Sequence, residues 1–146
     1  MTDLRELYQE TVLDHYRQPR NAGRLVDANR TAQGFNPLCG DKLTLYLKVE
    51  DGVIRDVSFE GSGCAIATAS ASLMTESIKG KREEEALQLL QNIHGMVIEG
   101  DKTGDMGKLD VLAGVHEFPE RVKCATLAWH TMKAALESTG LPVTTE

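Results

Sequence analysis

Cys39, Asp41, Cys64 and Cys124 are the residues of this 146-residue chain whose types and spacing can do chemistry. A free cysteine is most often a small buried hydrophobe, but two of these three stand in unusual company. Cys39 lies in Pro37-Leu38-Cys39-Gly40-Asp41, and Cys64 follows Gly61-Ser62-Gly63 where a helix is expected to begin. Glycines beside a thiol let the backbone approach a bound ion or partner closely. A helix N-terminus also favours the thiolate. Asp41 is two residues from Cys39 and so shares its strand face, which offers an oxygen as fourth ligand beside three sulfurs; the plain alternative is a solvated turn residue. Arg121 precedes Cys124 by one helical turn. A guanidinium there can offset excess negative charge or steer an anionic sulfur species, or simply stand in solvent. Three thiolates and a carboxylate bring four negative charges against the two of a zinc ion, which makes a tightly held but electron-rich site with nucleophilic thiolates. Paired C-x-x-C motifs are absent.

The elements that must position these residues follow from periodicity. Apolar residues at Leu4, Leu7, Tyr8, Val12, His15 and Tyr16 predict a helix from an N-cap at Thr2 to about Gln18, stopped by Pro19. The Gly-, Asn- and Pro-rich stretch from Asn21 to Pro37 reads as connecting chain with one short edge strand around Arg30 to Asn36. Leu43, Leu45, Leu47 and Val49, then Val53, Val57 and Phe59, alternate with polar residues as two half-buried strands do. Glu50-Asp51-Gly52 suits a three-residue hairpin loop. Pairing Val49 with Val53 places Leu43 opposite Phe59, Asp41 opposite Gly61 and Cys39 opposite Gly63, so Cys39 and Cys64 fall within one residue of each other across the hairpin. A bulge in Gly61-Ser62-Gly63 corrects the face of Cys64. Further helices are expected over Ala65 to Lys79, closed by Gly80, over about Arg82 to Ile98, and over Pro119 to about Ser138. Gly95 weakens the second of these near its end. Leu109 to Val115 adds a short helical turn. Cys124 then sits in the first turns of the last helix, which must fold back on the hairpin for the thiols to converge.

Composition narrows the setting. With 41% hydrophobic and 26% charged residues, the chain reads as one domain spanning 1–146. At this length folding buries roughly two-thirds or more of the chain surface, so no staples are needed. An odd number of widely spaced cysteines argues against a secreted disulfide framework and for a reducing, cytoplasmic setting. Sixteen basic against 22 acidic side chains, a net charge of −6, disfavour nucleic acid or an anionic membrane as partner. No apolar run is long enough to span a bilayer, and charges at Asp3, Arg5, Glu6, Glu10 and Asp14 interrupt any signal peptide.

Two further motifs fail on inspection. Gly107-Lys108 lacks the first glycine and the hydroxyl of a phosphate loop, because Lys102 and Leu109 stand there. Asp101, Thr103 and Asp105 lack the glycine of a calcium loop, where Met106 stands. His15, His94, His116 and His130 show no i, i+4 pairing and read as structural or surface residues.

Taken together, Asp14-His15-Tyr16, Pro19-Arg20-Asn21, Asn36 to Asp41, Phe59 to Ile66, the Ala/Ser-rich run to Gly80-Lys81, and Phe118 to Trp129 resemble the IscU/NifU N-terminal family of iron–sulfur cluster assembly proteins. The chain is most similar to its SufU branch. Lys123 stands where IscU proper has a histidine, and Gly95 to Val115 resembles the insertion that lengthens SufU. The resemblance implies an α+β fold, with a small three-stranded antiparallel sheet packed against an N-terminal helix and several C-terminal helices. It implies zinc held by Cys39, Asp41, Cys64 and Cys124, and a SufS-type cysteine desulfurase as partner. A desulfurase histidine then replaces Cys39 on zinc, freeing Cys39 as sulfur acceptor, with Arg121 assisting the exchange. The function so implied is a zinc-dependent sulfur carrier that hands sulfur to downstream iron–sulfur assembly proteins. The alternatives are a scaffold that carries a transient iron–sulfur cluster, or a zinc-stabilised binding module without sulfur chemistry.

Overall fold

Strands β1 (Arg30–Asn36), β2 (Asp41–Glu50) and β3 (Val53–Ser62) form an antiparallel meander, in which alternating apolar residues give β2 and β3 one face to bury. The computed structural model describes residues 10–37, 40–99, 109, 112, 115, 118–137 and 143–144. A two-residue strand β4 (Val143–Thr144) runs parallel to β1, which gives the sheet order β3-β2-β1-β4. The helices are α1 (Glu10–Arg17), α2 (Ala65–Ile78), α3 (Glu83–His94) and α4 (Pro119–Glu137). Helix α4 lies on β1 and β2, and α2 lies on β3, α1 and α4. Leu43, Leu45, Leu47, Ile54, Val57 and Phe59 of the sheet meet Ile66, Leu73 and Met74 of α2 and Ala125, Trp129 and Met132 of α4 in one core. The expected α+β architecture and its three-stranded antiparallel sheet are present, with β4 added beside β1.

The hairpin differs from expectation in its register. Asp51 and Gly52, at φ 54° and 75°, form a two-residue turn with Glu50 opposite Val53. Two consecutive left-handed residues match the twist of the flanking strands better than a three-residue loop does. A bulge follows at once, with the register shift between Lys48 and Val49 rather than in Gly61-Ser62-Gly63. Asn29 helps hold that irregular point, since its side-chain amide donates to Val49 O at 2.7 Å and its oxygen accepts from Val49 N at 2.8 Å. Beyond the bulge Leu45 pairs with Phe59 and Leu43 with Gly61. That is two residues away from the expected register, so every face is preserved but Asp41 is carried past Gly61 towards Gly63 and Cys64.

Helix α1 ends as expected before Pro19, with Gln18 N–H donating to Asp14 O at 2.8 Å; its expected start at Thr2 lies outside the described residues. A polar network fastens it to α2. The Arg20 backbone N–H donates to Ser72 Oγ at 2.8 Å, and His15 Nδ1 lies 2.7 Å from the same oxygen. Asn21 donates to Thr75 Oγ1 at 3.1 Å, and Arg20 pairs with Asp14 at 2.6 Å. Helix α3 stops short of Ile98: from Gly95 to Glu99 the backbone adopts a π turn, whose extra residue turns Met96 and Val97 into the core. Leu109, Leu112 and Val115 are buried at three-residue spacing. Among the described residues no helix is long and apolar enough to cross a membrane.

Candidate metal centre

The site forms where the start of β2, the start of α2 and the second turn of α4 meet. Asp41 is the first residue of β2 and is 2% exposed. Pairing of β1 with β2 sets Asn36 directly opposite it. Cys64 is the N-cap of α2, extended at φ −71° and ψ 167°, and its sulfur accepts from Ala67 N at 3.4 Å. An N-cap side chain takes one of the N–H groups that the first helical turn leaves unpaired, and a thiolate fills this role as a hydroxyl normally does. Cys124 is fully buried on α4. The donor atoms of Asp41, Cys64 and Cys124 all lie within 4.8 Å of one another.

Hydrogen bonds fix the carboxylate from two sides. Asp41 Oδ1 accepts from the Cys64 backbone N–H at 2.9 Å, and Oδ2 accepts from Asn36 Nδ2 at 3.0 Å. The same Asn36 nitrogen also donates to Cys124 Sγ at 3.4 Å. Gly63 makes room for this arrangement: a Cβ there would stand 2.5 Å from Asp41 Oδ1 and 3.0 Å from its Cγ. Helices α2 and α4 are locked together next to the site by Ser70, which is fully buried. Its hydroxyl donates to Ala125 O at 2.6 Å and accepts from Trp129 Nε1 at 3.2 Å.

The electrostatics favour a thiolate. Cys64 is lowered to about 6, chiefly because the Cys124 thiol donates to it; burial opposes this, the Ala67 N–H adds to it, the Asp41 charge opposes it and the Ile66 N–H adds again. Two sulfurs and a carboxylate oxygen converging from three elements fit a tetrahedral zinc ion. The N–H donors already on Asp41 are of the kind that orient metal-bound carboxylates. Among the described residues three donors converge, and Cys39, the fourth ligand expected from sequence, lies outside the described residues two positions before Asp41.

The other sequence candidates are placed as follows. Arg121 lies on α4 one turn before Cys124, half-buried, with its backbone N–H donating to Phe118 O at 2.7 Å. Lys123 is exposed. His15 is a buried partner of Ser72, as a structural histidine should be. His94 and His130 meet edge to face across α3 and α4, with ring centroids 5.9 Å apart. Burial and the neighbouring His94 and Lys133 hold His130 below the usual histidine range. His116, the Gly107-Lys108 pair and the Asp101 to Asp105 run lie outside the described residues. Sequence reasoning assigned no role to Asn36 or Ser70. The Asn36–Asp41 pairing was open to discovery from the β1–β2 register, whereas Ser70 is one of many small residues on α2.

The chain is similar to known proteins along most of its length. Residues 7–138 match the NifU-like N terminal domain. The chain is 43% identical over 137 residues to an iron–sulfur cluster assembly scaffold protein IscU of Thermotoga maritima, covering 93% of this chain and 96% of that one. It is 42% identical over 133 residues to the zinc-dependent sulfurtransferase SufU of Bacillus subtilis, covering 90% of each. Among solved structures, an iron–sulfur cluster assembly scaffold protein for the SUF system from Fervidobacterium islandicum superposes with a TM-score of 0.85 at 35% identity, over 92% of this chain and 99% of that one. The chain therefore belongs to the NifU-like N-terminal family of iron–sulfur cluster assembly proteins, the family of IscU and SufU.

Proposed function

We propose that this protein is a zinc-dependent sulfur acceptor and carrier of the cytoplasm, which receives persulfide sulfur from a SufS-type cysteine desulfurase. The observation that carries this reading is the convergence of Asp41, Cys64 and Cys124 within 4.8 Å, on a chain 42% identical to a zinc-dependent sulfurtransferase. Cys39, Asp41, Cys64 and Cys124 would hold the zinc. Bound zinc supplies the positive charge that keeps its cysteines deprotonated at neutral pH.

Cys39 is the sulfur acceptor in this reading. Its thiolate attacks the outer sulfur of the desulfurase persulfide, a new S–S bond forms on Cys39, and the desulfurase cysteine leaves as a thiolate. No oxidant or reductant is consumed. Arg121, one turn from Cys124, assists by steering the anionic sulfur. Metal analysis of anaerobically purified protein, coupled to desulfurase turnover before and after chelation, tests the proposal. Stoichiometric zinc and loss of stimulation on chelation are expected; metal-free protein that stimulates turnover equally well removes zinc from the mechanism.

A second reading, a scaffold on which a cluster is assembled as cargo, is favoured by the relatives named as IscU scaffolds, at 43% and 40% identity. It requires the same thiols to give up zinc. Cluster reconstitution that displaces zinc stoichiometrically supports the scaffold, and zinc retained through sulfur transfer supports the carrier.

A further inference from the structure

Asn36 is fully buried, yet it is polar at a core-facing position of β1 where Ala32 and Gly34 precede it. An interior amide without hydrogen-bond partners is destabilising, so packing alone favours an apolar side chain here. The Asn36 amide is directed instead at two of the three converging donors, 3.0 Å from Asp41 Oδ2 and 3.4 Å from Cys124 Sγ. Cys64 receives no such contact from it. That sulfur sits half-buried at a helix start, held by the Ala67 N–H.

We propose that Asn36 is a positioning residue that makes Asp41 and Cys124 the fixed pair of the ligand set, so that ligand exchange falls to the other thiols. Full burial protects Cys124, whereas half-buried Cys64 is open to an incoming group. One amide nitrogen thereby holds a strand ligand and a helix ligand in a common geometry before metal arrives. The assignment rests on the reading of these residues as metal ligands and extends it by ranking them.

The test uses Asn36→Ala and Asn36→Leu, the second filling nearly the same volume without a donor. Far-UV circular dichroism checks the fold, chelator competition gives zinc affinity, and peptide-resolved alkylation of the zinc-loaded protein gives the order in which the cysteines react. Affinity is expected to fall about 10–100-fold, and Cys124 is expected to lose its protection relative to Cys64. Folded variants with unchanged affinity and unchanged alkylation order overturn the proposal, as does a loss of affinity that leaves Cys124 as protected as before. Nuclear magnetic resonance of the wild-type protein adds an arm independent of the variants: the Asn36 side-chain NH2 should exchange slowly with solvent, and exchange at the rate of a free amide overturns the proposal. Wild-type protein that takes up no zinc removes the metal reading itself, and the ranking with it.

Discussion

The backbone N–H of Cys64 donates to Asp41 Oδ1 at 2.9 Å, so one candidate ligand holds the backbone of another. The bond is possible because Gly63 presents no side chain to the carboxylate. Gly63→Ala would place a methyl group 2.5 Å from Asp41 Oδ1 and 3.1 Å from its Cβ. The aspartate cannot retreat without losing its bonds to Cys64 and Asn36. The variant is expected to fold but to bind zinc about 10–100-fold more weakly, as loss of a ligand-orienting contact does. Chelator competition checks this, and unchanged affinity would show that the close approach is incidental.

The depressed thiol of Cys64 has a consequence for stability. Its folded value of about 6 lies below the 9.0 of an unperturbed cysteine thiol. Between about pH 6 and 9 the unfolded chain therefore binds more protons at this position than the folded one, and stability rises with pH through that window. The contribution is fully present above the unfolded value and disappears as pH falls through the folded one. Urea denaturation of reduced, metal-free protein at several pH values should show the rise, and Cys64→Ser should flatten it. A slope that survives the substitution belongs to other groups.

Much of this was legible in the amino-acid order because local rules and global packing agree over most of the chain. The Leu43 to Val49 alternation, the Pro119 helix start and the β1 limits at Arg30 and Asn36 all appear where expected. The hairpin register did not, because two turn geometries fit Glu50-Asp51-Gly52 and only the bulge at Lys48 and Val49 selects between them. A two-residue shift keeps every apolar residue on its face, so periodicity is blind to it. The contacts of Asn36 and Ser70 depend on strand and helix juxtapositions that no local pattern encodes.

Ser70 illustrates the second kind. It is fully buried on α2 and ties to itself Ala125 O of α4, one residue beyond Cys124, and Trp129 Nε1 further along the same helix. Ser70→Ala removes the partner of the buried indole N–H and weakens the registration of the two helices that carry Cys64 and Cys124. The expected cost is about 1–3 kcal/mol, read from urea denaturation followed by Trp129 fluorescence. A variant as stable as the wild type would mean that the helices are registered by apolar packing alone.

Cys39→Ala separates a sulfur carrier from a structural metal site. Asp41, Cys64 and Cys124 are already drawn together by Asn36, the Cys64 N–H and the thiol contact, and Ser70 joins the two helices independently of Cys39. The variant should therefore keep its fold, with zinc affinity reduced by the missing thiolate. Sulfur acceptance from a cysteine desulfurase, read by mass spectrometry of the persulfidated protein, should fall to background. An unfolded variant would point instead to a metal whose task is folding, because binding and folding free energy are then one quantity. A folded variant that still accepts sulfur would transfer the acceptor role to Cys64, the half-buried thiol already lowered to about 6.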